Sequence, residues 1–447
     1  MAKEYMEYYA AHVAETQRRW EAVLEAENRQ AVLVHSGTPL VSFQDDYEYA
    51  FRPNPHFLAW LPLTRHHDSA LLVRPGEKPQ LFYYQPDDYW YLPPSDPESW
   101  WAGHFDIHVV PEADDWRKGL FARLDGLSFD IRDVAAIGDA PSLAGTFEAD
   151  RINPASLLHR LHIERTRKTP YEIACMMEAS RLAARAHVAA ERAFREGKSE
   201  FRIHHCYLGA CQHTDAQLPY NNIVALNKHS AVLHYQAREL ASPDTVLSFL
   251  IDAGCTVNAY ASDITRSYSR EEDDFAELVA AMDTMQQALI EPVRAGLDFK
   301  ELHLQTHREI AGILENFGII NIAADDAVAS GLSRVFYPHG LGHFIGLQTH
   351  DVAGLVDNSG TAIPRPEGHP FLRLTRELEI GNVLTIEPGL YFIEALLRQW
   401  KENGDTGAVN WARVEELMPY GGIRIEDNVV VTENGCDNLT RTAFAEL

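Results

Sequence analysis

The stretch Phe249–Ser269, FLIDAGCTVNAYASDITRSYS, alternates apolar residues with small or polar ones on both sides of Val257–Asn258. That pattern predicts two strands joined by a tight turn. With Val257–Asn258 as the turn, Thr256 faces Ala259 and Asp252 faces Asp263. Those two carboxylates then share one face of the hairpin, with Cβ atoms roughly 4.5–5.5 Å apart. Phe249, Ile251 and Ile264 take the other face and read as core. Like charges directly opposed destabilise a sheet unless one is protonated or a cation sits between them. The alternative is a pair of strand-end acids with no shared partner. Strand parity points Cys255 away from Asp252, so it reads as a packed thiol.

The frame around this hairpin is that of an ordinary globular protein. A chain of 447 residues with 46% hydrophobic and 23% charged residues predicts two domains. A formal net charge of −26 argues against a nucleic-acid partner. No apolar run has the length of a bilayer span, and the N-terminus lacks a signal-peptide core. Five scattered cysteines without a C-x-x-C pair suit a reducing cytoplasm.

Upstream, a helix is expected at Ala10–Arg29. Strands are expected at Gln30–His35, Ser69–Val73, Gln80–Tyr84, Ile107–Val110 and Val134–Ile137. The aromatic-rich stretch Phe82–Trp101 suggests packing at a domain or subunit interface. A boundary is expected near Asp150–Thr169, followed by a helix over Ala174–Phe194. Strands at Asn222–Leu226 and Ser230–Tyr235 lead to the hairpin. Helices follow over Glu271–Gly296, where the opening acids suit a helix N-terminus, and over Phe299–Phe317.

Three further motifs carry polar groups. Tyr337–Asp351, YPHGLGHFIGLQTHD, holds His339, His343 and His350 among three glycines. In Val383–Tyr391, VLTIEPGLY, Glu387 emerges at the end of an apolar strand. In Gly421–Val431, GGIRIEDNVVV, Arg424 and Glu426 share one strand face and Ile423 and Ile425 the other; a salt bridge between Arg424 and Glu426 is the plain alternative. Four convergent carboxylates (Asp252, Asp263, Glu387, Glu426) need compensation, because burial and mutual repulsion both oppose ionisation. Two divalent cations would balance them. Oxygen-rich ligation with the one imidazole of His343 favours a hard ion such as Mn²⁺. Paired ions about 3.5–4 Å apart activate a shared water, which is hydrolytic chemistry.

Taken in order, FLIDAG…SDITRSY, HGLGHFIGLQTHD, TIEPGLYF and GGIRIEDN resemble the pita-bread metallopeptidases, and most closely the bacterial prolidases (Xaa-Pro dipeptidases) of the organophosphorus acid anhydrolase type. HSG, FQDDYEY and NPHFLAWLPL give a weaker N-terminal likeness. The resemblance implies an α/β (α+β) chain, with a mixed α/β N-terminal domain at 1–160 that dimerises and caps the site. A pita-bread catalytic domain follows at 161–447. It implies two Mn²⁺ per subunit, with Co²⁺ or Zn²⁺ as possible substitutes. Asp252 and Asp263 would hold one ion, and Asp263, His343, Glu387 and Glu426 the other, with Asp263 and Glu426 bridging. Glu387 would double as general base, and His339 and His350 would serve catalysis. His234, Tyr220, Arg373 and Arg424 would line the substrate pocket, with Arg373 gripping the proline carboxylate. Asp46, or its neighbour Asp45, would be offered to the substrate amine across a homodimer. The implied activity is hydrolysis of Xaa-Pro dipeptides by a metal-bridging hydroxide in the cytoplasm, with neither nucleic acid nor membrane as partner and with side activity on organophosphorus esters. An Xaa-Pro aminopeptidase acting on longer peptides and a non-catalytic pita-bread binding module are the rivals. Phe344 departs from relatives that place His there, which bears on pocket shape. The polar segment 392–420 suggests a surface hairpin or lid.

Overall fold

The computed structural model describes residues 4–125 and 130–447. The chain divides into two compact units, Met1–Arg165 with Thr169–Cys175, and Thr166–Lys168 with Met176–Leu447. The N-terminal unit opens with helix α1, Tyr5–Ala26, which buries Tyr9, Val13, Trp20 and Leu24 along one stripe. It begins ahead of the expected Ala10 because Tyr5 and Tyr9 belong to that stripe, and the Tyr9 hydroxyl donates to Trp60 O at 2.6 Å. Strands β1 (Ala31–His35), β2 (Ala70–Val73), β3 (Gln80–Tyr84), β4 (Asp106–Val110) and β5 (Val134–Ile137) form one mixed sheet in the order β4-β3-β2-β1-β5. These strands match the expected positions to within a residue. β1, β2 and β5 are buried throughout, which explains their unbroken apolar runs. The aromatic stretch splits in two. Trp100 packs on Tyr5, Tyr9 and Tyr171 within this unit, whereas Tyr89, Trp90, Tyr91 and Leu92 are exposed.

Helix Pro170–Arg195, whose residues to Cys175 belong to the first unit and the rest to the second, starts on its proline, as the first helical turn favours. The hairpin follows as β7 (Ser248–Asp252) and β10 (Thr265–Ser269), with β6 (Ile223–Leu226) on the outer side of β7. Its tip is a short ladder, β8 (Thr256–Val257) with β9 (Tyr260–Ala261). The turn lies one residue later than expected, at Asn258–Ala259, whose φ values of 50° and 71° are those of a type I′ hairpin turn. Thr256 therefore pairs with Ala261, and Asp252 pairs with Thr265 instead of Asp263. Moving the turn by one residue changes the pairing by two, so parity is kept. Asp263 becomes the diagonal neighbour of Asp252 on the same face. Ile251 and Ile264 are fully buried on the other face. Cys255 is a packed thiol, 3.5 Å from the Tyr207 hydroxyl.

The structure replaces two other expected elements, the strand at Ser230–Tyr235 and the surface hairpin within 392–420. Ser230–Tyr235 is no strand: Asn227 takes a positive φ of 55°, and a 3₁₀ turn spans Asn227–Ala231. The Ser230 hydroxyl bonds back to Asn227 O, and Val232 and His234 are left exposed. The polar segment 392–420 is helical, with Glu394–Asn403 and Trp411–Leu417, each burying one narrow edge through Leu397 or through Val414 and Leu417.

The remaining strands are β11 (Val383–Ile386), β12 (Gly389–Tyr391), β13 (Gly422–Arg424), β14 (Asp427–Thr432) and β15 (Gly435–Asn438). They assemble as β11-β14-β15 and as β12-β13. Single bridges tie Thr265 to Glu426 and Phe344 to Leu384, which brings the hairpin, the glycine-rich loop and these strands together. Helix Phe299–Asn316 is capped by Asp298 and ends before Gly318 at φ 64°. Helix Asp274–Ile290 is capped by Asp273, the one residue of the acid run that accepts a backbone N–H there. One apolar core, including Phe275, Leu314, Phe336, Phe344, Ile386 and Ile423, lies under these elements. Phe344, the departure noted above, is fully buried in that core.

Candidate metal centre

Each donor reaches the site because its motif breaks at the right residue. Asp252 ends β7, and Asp263 sits between the two hairpin ladders. Asn428 clamps the Asp263 backbone from both sides: Asp263 N–H donates to Asn428 Oδ1 at 2.8 Å, and Asn428 Nδ2 donates to Asp263 O at 2.7 Å. Glu387 follows the last residue of β11, and Glu426 precedes the first of β14. His343 is held between Thr385 and its own loop. Its Nδ1 lies 3.0 Å from Phe344 O, so an N–H donated there leaves the Nε2 lone pair for a ligand.

His343 Nε2 lies 3.6 Å from Asp263 Oδ2 and 3.5 Å from Glu387 Oε1. Donor atoms of Asp263, His343 and Glu426, all three buried, fall within 4.8 Å of one another. Asp252 is held by Arg424, whose Nη2 donates to Asp252 Oδ2 at 2.6 Å. The plain alternative of an Arg424–Glu426 salt bridge is thus replaced by a pair with Asp252, reached across β13 and β7. Glu426 instead accepts from the Thr265 hydroxyl at 2.6 Å.

Charge in this cluster is poorly compensated. Among the described residues, Arg424 is the one Lys or Arg paired with any of the four acids. Burial, and then the charges of Glu426 and Asp252, push the Asp263 carboxyl well above its ordinary range. Burial and then Glu387 and Asp252 do the same to Glu426, while burial and Asp263 raise Glu387 to about 8. Asp427, the next residue along, is a built-in control. It is fully buried too, which alone would raise it, but Arg266 and Arg441 donate to its two oxygens and hold it below the usual range. This buried acid is therefore neutralised by two arginines, without a metal. The other acids fit divalent cations instead: the donors are oxygen-rich with one imidazole, and Asp252 Oδ1 is buried without a hydrogen-bond partner among the described residues.

The other expected residues fall into three places. His339 lies beside the acids, its Nδ1 3.9 Å from Glu387 Oε2 and its Nε2 2.8 Å from the Tyr391 hydroxyl. The Tyr220 hydroxyl donates to Asp263 Oδ1 at 2.5 Å. His350 is exposed, with its ring edge-on to that of His343 at 4.4 Å. Desolvation of the imidazole first, then the positive charge of Arg373 and then His234, lower His350 to about 4. Burial lowers His339 and His343 each to about 3, which leaves both neutral. Asp45 and Asp46 belong to the N-terminal unit, exposed on a loop where Asp46 N–H donates to Asp45 Oδ1.

Sequence reasoning passed over four positioning residues. Tyr391 joins two parts of the site, receiving Arg424 Nη1 at 2.9 Å opposite His339. Thr265 and Asn428 fix Glu426 and Asp263. Lys168 forms a buried ion pair with Asp351 at 2.8 Å, anchoring the loop that carries His350. Tyr391, Thr265 and Asn428 all stand inside the quoted motifs, two to four residues from a candidate ligand; Lys168 gives no local signal.

Residues 7–163 match the Xaa-Pro dipeptidase N-terminal domain, and residues 174–433 match metallopeptidase family M24. A protein named Xaa-Pro dipeptidase from Stenotrophomonas maltophilia is 46% identical over 439 residues, covering 98% of this chain and 97% of its own. One of the same name from Xanthomonas campestris pv. campestris is also 46% identical, over 98% of each chain. Among solved structures, the chain is similar to Escherichia coli aminopeptidase P with the inhibitor Pro-Leu, at 25% identity and a TM-score of 0.70, covering 96% of this chain and 95% of that one. A zinc-substituted form in complex with product gives 24% identity, the same TM-score and the same coverage, a likeness of fold. With the motifs, the fold and near-complete coverage in agreement, this chain belongs to metallopeptidase family M24, the pita-bread metallopeptidases, with an Xaa-Pro dipeptidase N-terminal domain.

Proposed function

We propose that this protein is an Xaa-Pro dipeptidase that works with two divalent cations, Mn²⁺ in the first instance. The observation that carries the reading is the convergence of Asp252, Asp263, Glu387, Glu426 and His343 with a single arginine to offset four acids. Asp252 and Asp263 would hold one ion; Asp263, His343, Glu387 and Glu426 would hold the other. Bound there, such ions supply Lewis acidity and a reactive water at neutral pH.

The chain's own residues do the rest. Glu387 takes the proton of the attacking water and passes it to the proline nitrogen as the bond breaks. An Xaa-Pro bond has no N–H and a fixed ring, so its nitrogen must be protonated from the side. His339, held neutral and oriented by Tyr391, and His350 flank the reacting carbonyl. Arg373 grips the proline carboxylate, where a guanidinium fork suits two oxygens. His234 and Tyr220 line the pocket, and Arg424 orients Asp252. The reading extends to a cytoplasmic homodimer in which Asp46 meets the substrate amine, and to slow hydrolysis of organophosphorus esters by the same nucleophile.

The test is Mn²⁺-supplemented hydrolysis of an Xaa-Pro dipeptide against the corresponding tripeptide. The dipeptide is expected to be strongly preferred, with Glu387→Gln lowering kcat by about 10²–10⁴ while keeping the fold. Preference for the tripeptide would instead favour an aminopeptidase. Near-parental turnover by Glu387→Gln would remove Glu387 as base.

A further inference from the structure

Away from the carboxylates, three histidines that the proposed chemistry leaves unused meet in the same unit. His303 and His307 stand one turn apart on helix Phe299–Asn316, so they share a face. His369 comes to them from the loop that follows Pro366. The three ring centroids lie 4.5–4.9 Å apart. One ring nitrogen from each falls within 4.8 Å of the others. His303 Nε2 is 2.9 Å from His369 Nδ1.

Two features distinguish this cluster from an ordinary hydrogen-bonded histidine core. His303 and His307 are each 1% exposed, and His303 Nδ1 and His307 Nε2 are buried without a hydrogen-bond partner among the described residues. An orphaned buried nitrogen is unfavourable and calls for a ligand. His307 Nδ1 lies 3.1 Å from Ser333 Oγ. An N–H donated there leaves the Nε2 lone pair exposed to the cluster, the arrangement that metal-binding histidines adopt.

We propose that His303, His307 and His369 form a separate, all-nitrogen metal site that takes one ion of the zinc class. Three neutral imidazoles suit Zn²⁺, Ni²⁺ or Cu²⁺ and are a poor set for Mn²⁺ or Mg²⁺. A tetrahedral zinc with Zn–N about 2.0–2.1 Å needs nitrogens about 3.3 Å apart, so the hydrogen-bonded His303–His369 pair, now at 2.9 Å, must open slightly to admit it. Arg334 lowers both His307 and His369, so a positive charge stands nearby.

The site would act as a clamp. His369 lies four residues before Arg373, and the intervening Phe371 and Leu372 press on Gly340, where a Cβ would meet Leu372 Cα at 2.9 Å. An ion shared by the helix and His369 fixes this loop against the segment carrying His339.

The test uses the full chain with the carboxylate centre disabled by Asp263→Asn and Glu426→Gln, so its outcome does not depend on the proposed peptidase chemistry. Equilibrium dialysis against Zn²⁺ alone, with elemental analysis, is expected to retain about one zinc per chain. Adding His369→Ala, at a half-buried loop position, is expected to abolish retention and the zinc-dependent rise in Tm while the chain keeps its circular-dichroism spectrum. Cu²⁺ bound to the same background is expected to show imidazole nitrogen splitting in its electron paramagnetic resonance spectrum. A folded chain that retains no zinc, or that retains it equally with His369→Ala, overturns the proposal.

Discussion

Gly342, between His339 and His343, is the most exacting test of how the donor strands are held together. A Cβ at this position would lie 2.0 Å from Thr385 O, 2.8 Å from its carbonyl carbon and 3.0 Å from its Oγ1. Real contacts essentially never fall under 3.0 Å, so Gly342→Ala must move the loop and strand apart by at least about 1 Å. That motion loosens two bonds at once, Thr385 N–H to His343 O at 2.9 Å and His343 N–H to Thr385 Oγ1 at 3.1 Å. It separates His343 from Glu387, two residues beyond Thr385. Overpacking of this kind destabilises by about 1–3 kcal/mol, and a 1 Å misplacement in a reacting site lowers the rate about 100-fold. The assay is kcat/KM on an Xaa-Pro dipeptide with saturating Mn²⁺, alongside Tm. Gly209→Ala, on an exposed helical turn with open space around it, is the control and is expected to be neutral or slightly stabilising. Parental kcat/KM and Tm in Gly342→Ala would refute the packing on which the site is built.

Lys168→Met leaves the Asp351 carboxylate, with a side chain 2% exposed, without its lysine. This is expected to lose about 3–5 kcal/mol in urea unfolding, and Asp351→Asn in the same chain should restore part of it; a loss under about 1 kcal/mol would show that the pair is unimportant. Acid should weaken the N-terminal unit. Burial lowers His35 and His66 each to about 4, so both stay neutral in the fold while they charge at about 6.5 when unfolded. Their stabilisation is present above pH 6.5 and is lost as pH falls toward 4, by roughly 2 kcal/mol each at pH 5. His35→Gln should flatten the decline of Tm between pH 7 and pH 5, and an unchanged slope would contradict the assignment.

Much of the site was legible because face survives errors of register. The sequence placed the hairpin turn one residue early, yet Asp252 and Asp263 still share a face, since side-chain direction has a period of two. The turn itself was obscured by Ala259, a residue with no evident preference for the positive φ it adopts. Glu387 was readable from an apolar run that stops at a polar residue, and Glu426 from its alternation with Ile423 and Ile425 on the face of Arg424. Ser230–Tyr235 misled because its apolar content resembles a strand, while the Ser230 hydroxyl closes a tight turn by donating to Asn227 O. The segment 392–420 was unreadable because each of its helices buries only a narrow edge. Lys168 and Asp351 are 183 residues apart, and the Arg424–Asp252 pair 172 apart. Such partners are chosen by the fold, and no local pattern marks them.

The central claim, that four buried acids coexist around paired cations, is tested most directly by a crystal grown with Mn²⁺ and examined by anomalous scattering. Two manganese peaks are expected, one touching Asp252 and both touching Asp263 and Glu426, with His343 and Glu387 on the second. Carboxylates turned apart with water alone between them would contradict the account.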